Sequence, residues 1–267
     1  MTFLRQLLGH AILRKSWMTF SVSNRKKVET IMDSRVALQP AYVLHSQPFQ
    51  NTSLLVDFFT MDYGRVRAVA KGARSAKSKY RSLLQLFQPL LVSLSGRGEL
   101  KTLTGLESSL GAMRLEAQRL FSGMYINELL TRLLLNHVEH KQLYLAYQDT
   151  LVALQGDSDI QLLLRQFELC LLSELGYGIN LDSDCHSHEP IEADRSYRFT
   201  PDIGFQILAD EGQHNSSKVY LGSHIVSLRE HDLTDTDVVK SAKRLLRAAL
   251  AAHLGGKPLH SRSLFAK

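Results

Sequence analysis

The chain has 267 residues, of which 44% are hydrophobic, and it carries a formal net charge of +6. This apolar content can support a packed core and excludes a chain that is disordered throughout. Two cysteines exclude a disulfide framework and fit a reducing compartment. No run of about 18 apolar residues is present, so the sequence predicts no membrane span. A basic chain of this size favours a polyanionic partner.

The start of the chain differs in pattern from the rest. Basic residues interrupt the apolar residues of MTFLRQLLGHAILRKSWMTF, which does not suit a signal peptide. A polar stretch, SVSNRKKVETIMDS, follows it. We therefore expect residues 1–38 to form an extension and linker that is disordered or contains a short amphipathic helix.

Residues 39–108 show the pattern of a small β-domain. Five short apolar runs follow one another, with turn signals at Asp62–Gly64 and Gly96–Gly98. Helix-length amphipathic segments do not separate the first three runs. Sequential strands with short turns favour an antiparallel barrel, and the count predicts a five-stranded barrel of the OB type.

A basic segment, YGRVRAVAKGARSAKSKYRS, occupies residues 63–82 and contains no acidic residue. Its first half alternates like a half-buried strand, and its second half has no apolar period. Most charge runs are simply solvated faces. Here the absence of acids and the small residues between the cations favour phosphate binding instead. The predicted DNA-binding residues are Arg65, Arg67, Lys71, Arg74, Lys77, Lys79 and Arg81, with Arg97 and Lys101 extending the patch.

Four aromatic residues near this segment are candidates for stacking on nucleic-acid bases. Phe58 and Phe59 lie in a strand pattern and are better explained as core residues. Tyr63 is a further candidate, and for Tyr80 the core and stacking interpretations are equally open.

The remaining chain changes to a helical period. Residues 109–180 have apolar residues at three- and four-residue steps, which predicts a bundle of about four helices. Residues 181–267 predict a small mixed α/β region. It contains a hairpin that turns at Asp202–Gly204 and a basic amphipathic helix over Asp232–Leu254. The predicted fold class is therefore α+β, with barrel, bundle and C-terminal region in that order.

Signatures of catalysis and metal binding are weak. GARSAKS lacks the spacing of a phosphate-binding P-loop, and the GxSxG and HExxH signatures are absent. Cys185 and His188 have the spacing of half a zinc site, and His186 is a further candidate ligand. A structural zinc site needs four ligands, so a polar loop without metal is favoured about two to one. We expect no enzyme, no metal and no cofactor.

Five sequence blocks occur in order between about Ala41 and Phe265. They are GRVRAVAKGARS, SGRGELKTL, YINELL, LRQFELCLLSELGYGINL and LGGKPLHSRSLF. Together they resemble the RecO family of bacterial DNA repair and recombination proteins. The resemblance implies a cytoplasmic, nucleoid-associated recombination mediator that binds single- and double-stranded DNA and anneals complementary strands. It also implies as partners RecR, the C-terminal tail of single-stranded-DNA-binding protein and, indirectly, the RecA recombinase.

The resemblance places a partner site in the helical region. The tail of single-stranded-DNA-binding protein is acidic and ends in Phe, so its receptor needs a cation beside an apolar pocket. On a helix, Leu164, Phe167 and Leu171 share one face and Arg165 projects beside it. These four residues are the predicted partner site, although the apolar three also suit a plain bundle core. The alternative function is a protein-interaction adaptor with only weak intrinsic DNA binding.

Two departures from the family pattern stand out. Many relatives carry a four-cysteine zinc module after LGY, where this chain keeps only Cys185. The family also begins shortly before the first barrel strand. Residues 1–31 therefore look like an extension or an early assigned start, with Met32 as the natural start.

Overall fold

The computed structural model describes residues 35–108, 111, 113–208 and 217–266. Its N-terminal part is a closed barrel in the order β1-β2-β3-β5-β4. The strands are β1 (Arg35–Phe49), β2 (Ser53–Thr60), β3 (Gly64–Ala70), β4 (Leu90–Ser95) and β5 (Leu100–Ser108). A short helix, α1 (Tyr80–Leu83), lies between β3 and β4. The prediction of a five-stranded barrel of the OB type is confirmed.

The long first strand closes the barrel. Residues Ala41–Phe49 of β1 pair with β2, and residues Arg35–Ala41 pair with β4, so one strand contributes to both sides. Register shifts in β1 mark the bends that this double pairing requires. The strand begins at Arg35, four residues before the position expected from the sequence pattern.

Strand alternation gives the barrel two buried faces. Val43 pairs with Phe58, and both side chains fill the interior of the barrel. The next pair, Tyr42 and Phe59, points the other way and joins the core formed with the helices. This follows from the period of two in a strand. The expectation that Phe58 and Phe59 are core residues is confirmed, although they belong to different cores.

The middle of the chain forms α2 (Ala117–Leu133), α3 (Lys141–Ala153) and α4 (Ile160–Glu174). Asp159 caps α4, where its carboxylate accepts a hydrogen bond from the Leu162 amide at 3.0 Å. The described part of residues 109–180 thus contains three long helices rather than four. A fourth long helix from the C-terminal region, α6 (Thr236–His253), packs against α4.

The C-terminal region is a small sheet with helices. Its strands β6 (Ser196–Thr200), β7 (Gly204–Ile207) and β8 (Val219–Leu221) lie in the order β7-β6-β8. Helix α5 (Gly222–Arg229) precedes α6, and a 3₁₀ helix spans His260–Ala266. The predicted hairpin and basic helix are present, so the α+β fold class with its three regions is confirmed.

Gly64 allows the barrel and the helical region to approach each other. It has φ +60, and a Cβ atom there would lie 1.7 Å from the carbonyl oxygen of Val138. Beside it, the His137 amide donates a hydrogen bond to the Arg65 carbonyl at 2.9 Å. The segment after α2 therefore runs directly along β3 and fixes how the barrel sits on the bundle.

Residues 1–34 of the predicted extension, with its expected disorder or short amphipathic helix, lie outside the described residues, and residues 35–38 belong to β1. Among the helices that the structure describes, none is both long and apolar enough to cross a membrane.

Candidate nucleic-acid interface and partner pocket

The loop after β3 displays most of the predicted DNA-binding cations. Exposed side chains belong to Lys71, Arg74, Lys77, Lys79 and Arg81, and Arg97 is exposed in the turn between β4 and β5. In the described part of the chain, none of these six forms an ion pair with a carboxylate. The loop is nevertheless held in place, because the Arg74 amide donates to the Thr52 carbonyl at 2.8 Å.

Arg65 and Arg67 have an internal partner. Both lie on β3, and both donate hydrogen bonds to the buried carboxylate of Asp57 on the neighbouring strand β2. The Arg65 Nε and Nη2 atoms lie 3.1 and 3.0 Å from Asp57 Oδ1. Arg67 donates from Nε and Nη2 to the two carboxylate oxygens at 3.0 and 3.1 Å. The side chain of Arg65 is 13% exposed and that of Arg67 is 39% exposed, so Arg67 retains the larger surface for a ligand.

Lys101 points inward. It is only 3% exposed, and its Nζ donates to the Gly96 carbonyl at 2.9 Å. It therefore braces the turn that carries Arg97. As placed, it has almost no surface for contact with DNA.

The aromatic candidates offer little stacking surface. Tyr80 is half-buried and packs against the barrel core, with the Lys79 ammonium 5.8 Å from the centre of its ring. Tyr63 is also partly buried against that core. The interface is consequently a set of exposed cations on a rigid barrel, an arrangement that suits phosphate contacts more than base contacts.

A second candidate site is a pocket of about 110 Å³ between α2, α4, α6 and the C-terminal 3₁₀ helix. Leu164 and Arg165 line it. Phe167 and Leu171 are 2% and 0% exposed, belong to the core of the bundle and do not line the pocket. The structure thus brings two of the four predicted partner residues to the pocket wall, where both are largely buried, with Leu164 5% and Arg165 4% exposed.

The floor of the pocket is a buried ionic cluster. Arg165 donates from Nη2 to Glu168 Oε1 at 2.8 Å, and the Tyr125 hydroxyl donates to the same oxygen at 2.6 Å. Burial raises the pKa of Glu168 in spite of the Arg165 charge, and burial followed by the charge of Glu168 raises the pKa of Tyr125. Within the described residues, Arg165 Nε and Glu168 Oε2 have no hydrogen-bond partner.

Three further cations surround this cluster. Lys243 and Arg247 come from α6, and Arg262 comes from the 3₁₀ helix. Burial, followed by the charges of Arg165 and Arg247, lowers the pKa of Lys243. Among the described lining residues, Arg165 and these three cations face one carboxylate, that of Glu168, so the pocket is suited to an anionic group that carries apolar surface.

The sequence analysis did not assign these three cations to the site. Lys243 and Arg247 are four residues apart and share one face of a helix, which was a detectable signal. Their approach to Arg165, far away in the sequence, depends on how α6 packs on α4. Arg262 lies in a segment without any period and gave no signal.

The loop at Cys185 is organised around the carboxylate of Asp184. In the described part of the chain, no three side chains of His, Cys, Asp or Glu are placed to hold an ion. Instead, the buried carboxylate of Asp184 accepts hydrogen bonds from the amides of His186, Ser187 and Ile207 at 2.7, 2.8 and 2.6 Å. Burial acts to raise the pKa of Asp184, but these hydrogen bonds outweigh it and hold the pKa at about 2.

The closed barrel with its exposed cations, the helices packed on it and the small C-terminal sheet define an α+β protein built on an OB-type barrel. Residues 32–110 match the family described as Recombination protein O N terminal, and residues 114–263 match Recombination protein O C terminal. The chain therefore belongs to the RecO family of DNA repair proteins.

Individual relatives agree with this assignment. The DNA repair protein RecO of Psychromonas ingrahamii is 45% identical over 225 residues, which cover 84% of this chain and 96% of the relative. The proteins of the same name from Salmonella dublin and Shigella flexneri are each 43% identical over 230 residues, covering 85% of this chain and 93% of each relative.

Proposed function

We propose that this protein is a non-enzymatic recombination mediator that binds single- and double-stranded DNA. In this proposal it anneals complementary single strands and helps to load the RecA recombinase onto protein-coated single strands. The site of action is the cytoplasm, at the nucleoid. The observation that carries the proposal is the group of six exposed cations on the barrel, none of which is paired with a carboxylate in the described residues.

The composition of this surface sets the kind of recognition. Lysine and arginine contacts to phosphates supply affinity without reading the base sequence. A mediator that anneals strands of any sequence needs this property. Because Tyr63 and Tyr80 are partly buried against the barrel, base stacking adds little discrimination.

The pocket at Arg165 supports the protein partner in this proposal. The acidic tail of single-stranded-DNA-binding protein, tipped by Phe, matches a small pocket that combines four cations with the apolar groups of Leu164, Tyr125 and Phe265. The exposed Lys243 and Arg247 receive the carboxylates. The buried Arg165 adds its charge from the floor, and Leu164 contacts the apolar tip. RecR is a further proposed partner, and contact with RecA is indirect. The same pocket is the feature that favours the adaptor alternative, in which the protein binds partners and only weakly binds DNA.

Measurements of strand annealing and DNA affinity on one set of variants distinguish the DNA-binding mediator from the adaptor. The triple variant Lys71→Ala, Arg74→Ala, Lys77→Ala removes three exposed cations from the loop. We expect it to anneal complementary oligonucleotides more slowly and to bind DNA with a slope of log affinity against log salt that is shallower by about 2, or about 0.7 per lost contact.

The control for this experiment removes the same charge elsewhere. The variant Arg195→Ala, Lys240→Ala, Lys257→Ala changes three exposed cations of the C-terminal region. We expect its affinity and salt slope to match those of the wild type. Equal affinity and slope in the wild type and in the barrel triple variant would contradict the proposed interface. Weak DNA binding with a shallow slope in the wild type itself would favour the adaptor.

The tail pocket is tested separately with a short synthetic acidic peptide that ends in Phe. We expect Arg165→Ala and Lys243→Ala to weaken peptide binding by about 1–3 kcal/mol each, the cost of losing a hydrogen bond to a charged group. Because Arg165→Ala also leaves the buried Glu168 carboxylate without its partner, it should lower stability by about 3–5 kcal/mol, whereas Lys243→Ala should not. Binding of bare DNA should be unchanged in both variants and is the control for folding. Unchanged peptide affinity in both variants would place the tail elsewhere.

A further inference from the structure

The C-terminal 3₁₀ helix, His260–Ala266, forms one wall of the pocket at Arg165, and we call it the strap. It contributes Arg262 and Phe265 to the lining. A short 3₁₀ helix depends on tertiary contacts, because its own hydrogen bonds have poorer geometry than those of an α-helix. The contacts that hold the strap therefore decide whether its two side chains are present at the site.

Glu128 on α2 anchors the beginning of the strap. Its carboxylate accepts hydrogen bonds from the amides of His260 and Ser261, both at 2.8 Å, and from the Ser261 hydroxyl at 2.6 Å. Burial acts to raise the pKa of Glu128, but the three hydrogen bonds outweigh it and lower the pKa. Ser261 is 5% exposed, so its end of this junction is shielded from water, whereas His260 is exposed.

Arg132, one helical turn further along α2, holds the chain that leads into the strap. Its guanidinium donates to the carbonyl oxygens of Leu254, Lys257 and Pro258 at 2.8, 2.7 and 2.9 Å. The same guanidinium lies 3.8 Å from the Glu128 carboxylate. One carboxylate and one guanidinium on a single helix thus fasten both the approach to the strap and its first turn.

The docked strap places a cation and an aromatic ring at the pocket. The positive charge of Arg262 acts on the buried carboxylate of Glu168 and works against the rise in its pKa. Phe265 packs edge-to-face on Phe121 of α2, with ring centres 6.0 Å apart and planes at 77°. Phe265 remains 44% exposed, so a large part of its ring is still free to contact a ligand.

We propose that the strap is a ligand-coupled wall of the pocket. An acidic peptide with an aromatic end binds the form in which Glu128 holds the strap, using Arg262 for a carboxylate and Phe265 for the apolar end. This inference rests on the tail-binding role proposed above and adds how that site is completed and regulated. Undocking of the strap removes one of the four cations and the only aromatic ring other than Tyr125 among the described lining residues.

Thermodynamic linkage makes the coupling measurable. If the peptide binds only the docked form, its apparent dissociation constant increases as the docked fraction falls. By reciprocity, bound peptide shifts the strap toward the docked form. The peptide should therefore slow hydrogen exchange at the amides of His260 and Ser261, which the Glu128 carboxylate holds.

The experiment uses the full chain and a short synthetic acidic peptide ending in Phe. Affinity is measured by fluorescence anisotropy, and exchange of the strap amides is followed with and without peptide. We expect Arg262→Ala to weaken binding about tenfold, the range for one lost hydrogen bond to a charged group. Glu128→Gln should weaken binding several-fold and accelerate strap exchange. Glu116→Gln, an exposed carboxylate at the start of the same helix, is the matched control.

The possible outcomes separate this inference from the proposed function. Failure of the wild-type protein to bind the peptide would overturn the tail-binding role and the strap inference together. Wild-type binding with unchanged affinity in both Arg262→Ala and Phe265→Ala would overturn the strap inference alone. Tighter binding in Glu128→Gln would also overturn it, because the strap would then obstruct the pocket.

Discussion

Asp57 lies beneath the basic surface and holds Arg65 and Arg67 in place. Substituting it tests whether this buried carboxylate stabilises the barrel and limits the contact of Arg67 with DNA. Asp57 is directly opposite Arg67 in the ladder between β2 and β3, and Arg65 approaches it diagonally. Its side chain is 4% exposed and receives four hydrogen bonds from the two guanidinium groups. Replacement by asparagine keeps the shape of the side chain and removes its charge.

The cost of Asp57→Asn can be approximated from burial. Breaking a buried ion pair by removing one partner costs about 3–5 kcal/mol, because the remaining charge is left without compensation. Arg65 is 13% exposed and suffers this loss, whereas Arg67 is 39% exposed and can turn toward water. We therefore expect the lower end of the range, about 3 kcal/mol, which corresponds to a fall in melting temperature of about 6–12 °C.

DNA affinity should change in the opposite direction to stability. Removing the carboxylate releases Arg67 to contact phosphate, so the salt slope should become steeper by about 0.7–0.9. Both quantities are measurable on one sample, by urea unfolding and by oligonucleotide titration. Asp62→Asn on the same barrel is the control, since this side chain is 50% exposed, and its effect on stability should stay within about 0.5 kcal/mol. Wild-type stability of Asp57→Asn would refute the buried-clamp interpretation.

Three other expectations concern the structural supports. Gly64→Ala should cost more than about 3 kcal/mol, because the new Cβ meets the Val138 carbonyl, whereas Gly72→Ala has the same sign of φ but open space and should cost about 1 kcal/mol in thermal unfolding. Asp184→Asn should destabilise the protein by about 2 kcal/mol at neutral pH. Since the native pKa of Asp184 is about 2, below the unfolded value of 3.8, its stabilisation is full above pH 4 and disappears as the pH falls toward 2. A difference between variant and wild type that persists at pH 2 would contradict this. Elemental analysis of the purified protein should find less than stoichiometric zinc, and one zinc per chain that is lost in Cys185→Ala would overturn that expectation.

Local patterns predicted the elements of the fold well. Alternation in the first half of the chain and the three- to four-residue period in the second gave the barrel, the helices and the hairpin at Asp202–Gly204. The double pairing of β1 was not predictable, because it depends on which strands meet when the barrel closes. The prediction of about four helices in residues 109–180 was wrong for a related reason. The described part of that region has three long helices, and the fourth helix of the bundle is α6 from the C-terminal region.

The sequence identified the charged residues but not their positions and partners in the folded protein. Lys101 and Leu103 share one side of β5 and are both buried, but Leu100 and Leu106 occupy the alternate positions, so the strand period alone did not show that Lys101 points inward. The ion pair between Arg65 and Asp57 could not be predicted, because it depends on the register between β2 and β3, which the sequence does not reveal. The cations of the partner pocket likewise come from three separated segments that only tertiary packing brings together.

Titration of the wild-type protein with single-stranded oligonucleotides at several salt concentrations tests the central claim most directly. If each of the six exposed cations contacts one phosphate, the slope of log affinity against log salt is about −4, since each contact on a single strand contributes about −0.7. Oligonucleotides of different base composition should give similar affinities, because phosphate contacts do not read sequence directly. A slope shallower than about −1, or strong dependence on base composition, would contradict DNA binding through the cationic loop of the barrel.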